Sequence, residues 1–277
     1  MNIWQSLFLG FIQGVAEFLP ISSSGHLAIF HNLFHLDAVG ESDMFFEVLL
    51  HLATLVSVAI VYWKDIKDII LEFLTMIKVR KVPDGQSSDA VSRRMIWFII
   101  VGTLPLFISV IFKDQVEGLM NNMFFIAAAL VVTGTLLFLS DKFGKGTKQV
   151  KNATIFDALF VGLGQMIAVV PGLSRSGTTI ASGLYRGFDR SFAVKFSFLL
   201  SIPAILGANL LEIVDAISVG INWNMIPMYL AGMVTAAVFG YLSIRLLNKI
   251  ATGKSFGGFS YYCWGAGLVT LFLALIS

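Results

Sequence analysis

A chain of 277 residues with 57% hydrophobic and 13% charged side chains, and a mean hydropathy of +0.83, is far more apolar than a soluble globular protein. Its formal net charge of +2 supplies no basic surface for nucleic acid, and the single cysteine, Cys263, excludes an internal disulfide framework. The 25 phenylalanines and 25 glycines suit helices packed in lipid, where small residues let backbones approach. No positively charged segment precedes the first apolar stretch, so a cleaved signal peptide is not expected.

Crossing the hydrocarbon core takes roughly 20 apolar residues. In chain order, the first apolar stretch, 3–36, is broken in its middle by polar residues, Gly and Pro, and reads as a re-entrant helical hairpin rather than a span. A span follows at 44–63, then an amphipathic surface helix at 65–80 and spans at 95–112 and 123–140. The stretch 155–187 is broken like the first, and spans at 192–214, 225–247 and 258–277 complete the chain. The expected fold is a single all-α integral membrane domain, 1–277, with six transmembrane helices and two re-entrant helical hairpins.

Lys and Arg orient this arrangement. None precedes Lys64; the 64–94 loop carries seven, 141–151 four and 245–257 three, whereas 113–121 has only Lys113 and 215–224 has none. The positive-inside rule places the rich loops in the cytoplasm and both termini outside.

The two broken stretches also match each other. An offset of 152 aligns 7–26 with 159–178 without a gap, with identity at eight of twenty positions, among them Gly10/Gly162, Gln13/Gln165, Ser22/Ser174, Ser24/Ser176 and Gly25/Gly177. Each half, about 1–140 and 151–277, then holds one hairpin and three spans. Three is odd, so the second half starts from the opposite face. Such an inverted-topology repeat places a site near the midplane, where broken helices meet.

The first tip reads Gln13-Gly-Val-Ala-Glu17-Phe-Leu-Pro20-Ile-Ser22-Ser23-Ser24-Gly25-His26. Gln13 and Glu17 share a helix face, Pro20 ends that helix, and serines stand where a second helix starts, where free N–H groups and the positive dipole end favour an anion. The second tip, Pro171-Gly-Leu-Ser174-Arg175-Ser176-Gly177-Thr178-Thr179, adds a guanidinium, whose planar fork suits phosphate. An isolated Ser-Gly run in a membrane helix is ordinarily packing, His31 and His35 read as interfacial, and Glu17 alone could be a solvated carboxylate. An intramembrane Arg is different, because insertion costs about 2.5–3.5 kcal/mol at a helix centre. Glu47 and His51, four apart on the first span, either line the same cavity or join helices as polar glue.

The QGVAEFLPISSSGH and PGLSRSGTT stretches resemble the two signature motifs of the undecaprenyl-pyrophosphate phosphatase family of the bacitracin-resistance type, and the likeness extends over the whole chain. The resemblance implies hydrolysis of undecaprenyl diphosphate to undecaprenyl phosphate and inorganic phosphate, recycling the cell-wall carrier lipid in the bacterial plasma membrane at a site opening to the outer face. It implies Ser23 as nucleophile, with Glu17 and His26 beside it. Arg175 is the implied phosphate clamp, with Ser22, Ser24, Gly25, Ser174, Ser176 and Thr179 around the substrate. It also implies a divalent cation, Mg²⁺ or Ca²⁺, for which Gln13 and Glu17 are the candidate ligands. Gln13 stands where many members have Glu, which leaves such a site poor in hard oxygen donors. Either Glu17 or His26 takes the Ser23 proton, and direct attack by water is the alternative to a covalent step. Two rivals stand beside this reading: a secondary transporter or lipid flippase with a midplane anion site, and an intramembrane Ser–His protease, which leaves Arg175 unexplained.

Overall fold

The computed structural model describes residues 1–33, 42–81, 89–120, 122–144, 146–219, 222–253 and 255–276; His35 lies outside them. Helices carry nearly all of the described chain, and its one β feature is an isolated bridge between Lys148 and Phe188. The helices are α1 (Ile3–Phe18), α2 (Ser23–Leu33), α3 (Ser42–Val61), α4 (Trp63–Met76), α5 (Ala90–Thr103), α6 (Leu106–Val110), α7 (Lys113–Glu117), α8 (Met123–Phe143), α9 (Ile155–Ile167), α10 (Arg175–Tyr185), α11 (Arg190–Val219), α12 (Ile226–Ala251) and α13 (Gly257–Ile276).

Five segments among the described residues are long and apolar enough to cross a membrane: Ala90–Val110, Met123–Phe143, Arg190–Val214, Trp223–Ala251 and Gly257–Ile276. Taken together, α3 and α4 supply a sixth, bent by 87°. These coincide with the six expected spans, and the chain is an all-α, multi-pass membrane protein. The 95–112 span is split into α5 and α6 at Leu104–Pro105, where proline supplies no N–H to continue the ladder.

The amphipathic helix expected at 65–80 corresponds to α4, Trp63–Met76. It leaves α3 nearly at a right angle because its polar face has partners there: Lys195 Nζ lies 2.8 Å from Asp65, and Arg93 Nη2 lies 2.9 Å from the buried Glu72. These pairs fasten α4 to α11 and α5.

The two broken stretches hold four short helices: α1 with 16 residues, α2 with 11, α9 with 13 and α10 with 11. Both α1 and α9 open with a reciprocal capping box, Asn2 with Gln5 and Thr154 with Asp157, which satisfies two orphan N–H groups each. The buried Asp157 is further held by Lys148 at 3.2 Å and Arg186 at 2.7 Å, tying the start of α9 to the end of α10.

Packing brings these short helices to the centre. α1 lies along α12, α9 lies along α5, and α3 contacts both α11 and α12, while α8 touches α10 and α13. The contact is backbone on backbone where glycines face each other. A Cβ on Gly10 would strike the Gly232 carbonyl of α12, and one on Gly162 would strike the Gly102 carbonyl of α5. Close approach of this kind replaces the hydrophobic drive that lipid cannot supply. On the side of α4 and the start of α11, a core of Phe18, Tyr62, Phe98, Phe188, Phe196 and Phe198 fills the remaining space.

Candidate active site

The site is assembled where the end of α1 meets the start of α10. α1 presents Gln13 and Glu17 on one face; Gln13 is fully buried and Glu17 is 7% exposed. Gln13 Nε2 donates to Glu17 Oε2 at 3.1 Å. After Phe18 the chain turns through Leu19–Ser22, and Ser22 has φ +74°. That left-handed conformation costs an L-residue roughly 1–2 kcal/mol, so it needs local support. Ser22 Oγ accepts from Gly25 N–H at 3.1 Å, and the Ser22 carbonyl accepts from His26 N–H at 3.2 Å and from His26 Nδ1 at 2.7 Å. The turn places Ser23 Oγ 2.8 Å from Glu17 Oε2, to which it donates.

The second tip reaches the same carboxylate. Ser174 Oγ caps α10 by accepting from Gly177 N–H at 3.0 Å. Arg175, the first residue of α10, extends Nη2 to Glu17 Oε1 at 2.6 Å. Its other terminal nitrogen, Nη1, is buried with no hydrogen-bond partner among the described residues. The tips are stitched together by Gly172 N–H donating to Ser24 Oγ and by Ser176 Oγ donating to the Leu19 carbonyl, each at 3.3 Å. Thr179 Oγ1 bonds the Arg175 carbonyl at 2.8 Å and Ser197 Oγ of α11 at 2.6 Å, which anchors α10 from behind.

Gln13, Glu17, Ser23 and Arg175 therefore converge on one point, while Ser22, Ser24, Gly25, Ser174, Ser176 and Thr179 form the frame that holds it. His26 takes a different place. With Nδ1 on the Ser22 carbonyl, its Nε2 meets the Tyr262 hydroxyl at 2.7 Å, and the two rings stack with centroids 5.6 Å apart. A carbonyl only accepts, so Nδ1 carries the proton and Nε2 accepts from Tyr262. Both ring nitrogens are thus engaged, and Glu17 is the group bonded to Ser23. Sequence reasoning could not find Tyr262, which lies 236 residues away with no motif around it. His51, held there only as a possibility, stands with Nε2 3.9 Å from Glu17 Oε2. His26 and Tyr262 border an apolar cavity of about 620 Å³ between α1, α12 and α13, whose lining includes none of Glu17, Ser23 or Arg175.

The donor set does not fit a resident divalent cation. Such ions take six or more oxygens, whereas both Glu17 oxygens are already shared among a guanidinium, a hydroxyl and an amide. Among the described residues, no group of three or more His, Cys, Asp or Glu side chains is placed to hold an ion. Of the two candidate ligands, Gln13 contributes one buried acceptor, Oε1, without a partner among the described residues.

The fold and the site define a multi-pass helical membrane protein with a buried carboxylate–hydroxyl–guanidinium centre. The family described as bacitracin resistance protein BacA matches residues 6–269, and the chain belongs to it. Similar proteins named undecaprenyl-diphosphatase include one from Methanosphaera stadtmanae, 38% identical over 100% of this chain and 99% of that protein. Another from Alkaliphilus metalliredigens is 40% identical over the full length of both, and one from Methanobrevibacter smithii is 41% identical over 97% of this chain and 96% of its own.

The buried pair generates a stability prediction. Arg175→Ala strands the Glu17 carboxylate and is expected to cost about 3–5 kcal/mol, read as a lower melting temperature in detergent. Glu17→Gln in the same chain should recover much of that loss, and Arg175→Lys should melt closer to wild type. An Arg175→Ala protein that melts like wild type would mean the pair contributes nothing to the fold.

Proposed function

We propose that this protein hydrolyses undecaprenyl diphosphate to undecaprenyl phosphate and inorganic phosphate in the plasma membrane. Family membership supports the activity, and one structural observation carries the assignment to this site: the buried, unpartnered Arg175 Nη1, beside a serine hydroxyl already bonded to a carboxylate. A terminal phosphate oxygen satisfies Nη1 while Nη2 stays on Glu17. Phosphoryl transfer asks mainly for positioning and charge stabilisation. Ser23 Oγ attacks the terminal phosphorus, its proton passes to Glu17, and the anhydride P–O bond breaks to release undecaprenyl phosphate. Water then hydrolyses the phosphoserine and Glu17 returns the proton. His26 acts as a positioning residue that holds the Ser22 turn. A transporter or flippase reading does not account for the Ser23–Glu17 bond.

A divalent cation would enter on the diphosphate oxygens, because Gln13 and Glu17 offer it too few free donors. The architecture is read as two inverted repeats, each beginning with a re-entrant hairpin. The capping boxes at Asn2 and Thr154, the serine caps at Ser22 and Ser174, and the glycine contacts at Gly10 and Gly162 support this, since each pair is separated by the same offset of 152. The basic 64–94 loop supports a cytoplasmic face there, with both termini outside, and the family resemblance supports a site opening outward.

Purified protein in detergent should release phosphate from a prenyl diphosphate, and Ser23→Ala should lower turnover by about 10³-fold or more. Turnover close to wild type in Ser23→Ala would eliminate the covalent route and leave direct attack by water. Gln13→Glu is expected to retain activity and tighten the apparent Mg²⁺ or Ca²⁺ affinity in a titration after chelation; an unchanged midpoint would detach this helix face from the ion. With Cys263→Ser as background, a cysteine at position 219 should react with an impermeant maleimide in intact cells and one at position 85 should not. The reverse pattern would invert the topology.

A further inference from the structure

Two histidines flank the first tip, and the structure uses their ring nitrogens differently. His26 has none to spare, with Nδ1 on the Ser22 carbonyl and Nε2 on the Tyr262 hydroxyl. His51, on α3, has Nδ1 2.9 Å from the Glu47 carbonyl oxygen. That carbonyl can only accept, so Nδ1 carries the proton, and in the neutral ring Nε2 is left as a lone pair. The same nitrogen lies 3.9 Å from Glu17 Oε2, the oxygen on which Ser23 Oγ sits at 2.8 Å. The longer distance is beyond a direct hydrogen bond, so Nε2 is not committed to the carboxylate although it lies beside it. Exposure separates the two bases: the His51 side chain is 31% exposed and Glu17 only 7%, so Glu17 is the more enclosed of the two.

We infer that His51 is the base that activates water for hydrolysis of the phosphorylated Ser23. This rests on the covalent reading above and divides its proton traffic between two groups. In the first half, Glu17 receives the Ser23 proton as the Oγ–P bond forms and the anhydride bond breaks. Glu17 is then protonated and has no capacity for a second proton. In the second half, the water oxygen attacks phosphorus as His51 Nε2 takes a water proton. The P–Oγ bond breaks, Ser23 Oγ recovers its proton from Glu17, and phosphate departs. His51 then releases its proton to solvent. One carboxylate could not act as the base in both halves without shedding its proton in between from a buried position.

The test uses full-length protein in detergent and a prenyl diphosphate labelled on its terminal phosphate. Phosphate release and label retained on acid-quenched protein are both measured. His51→Gln, whose amide can still donate to the Glu47 carbonyl, should lower kcat by about a hundredfold or more and lower KM with it, leaving kcat/KM nearly unchanged because phosphorylation of Ser23 is untouched. The quenched protein should carry label that is absent from His51→Gln/Ser23→Ala. Added imidazole should partly restore turnover to His51→Ala. Melting temperature checks folding, and His51→Asn replaces His51→Gln if the latter melts early. Wild-type turnover in His51→Gln overturns the inference, as does slow turnover with unlabelled protein, which puts His51 before or outside the hydrolytic step. Those results leave the Ser23 nucleophile standing if Ser23→Ala is inactive, whereas an active Ser23→Ala overturns both readings.

Discussion

The contact between Glu17 and Arg175 is the constraint on which the rest of the site depends. Each charge is nearly removed from water, at 7% and 16% side-chain exposure, and neither would be tolerated singly at that depth. Because the two residues are 158 positions apart, their attraction is also what draws the end of α1 to the start of α10. The guanidinium is not exhausted by the carboxylate. Its second terminal nitrogen is buried without a hydrogen-bond partner among the described residues, and the proposed phosphate contact is built on that imbalance.

Two kinds of packing make the contact possible. Near the tips, hydroxyls replace water: Ser24 accepts from the opposite tip, Ser176 donates to it, and Ser174 N–H is met by Thr133 Oγ1 of α8 at 3.1 Å. Such bonds are needed because the turns leave backbone groups without helical partners. Along the short helices, glycine removes the side chains that would hold α1 from α12 and α9 from α5. Fixed on both sides, the tips need not move to bring Ser23, Glu17 and Arg175 together.

The two tips share a frame and differ in their chemistry. At the offset of 152, Ser23 corresponds to Arg175 and Glu17 to Val169. The first tip therefore supplies a hydroxyl and a carboxylate and the second supplies the cation, Ser23 and Arg175 each being the first residue of its helix. Gln165, the counterpart of Gln13, is fully buried, and neither end of its amide has a partner among the described residues; at Nε2, where Gln13 donates to Glu17, position 169 offers only Val.

The sequence by itself determined the membrane class, the six spans, the broken stretches and the two tips, because each is a local property. Apolar run length reports hydrocarbon thickness, Pro20 reports an interrupted ladder, and Ser before a helix reports a cap. It also brought Glu17, Ser23 and Arg175 into consideration, since an arginine within an apolar hairpin demands a partner. Only the tertiary structure decided how the partners are matched. Tyr262 claims His26, and Glu47 sets the His51 tautomer through its backbone carbonyl. Arg175 divides its fork between Glu17 and an empty direction. Those outcomes depend on distances between helices far apart in the chain, which periodicity and spacing do not encode.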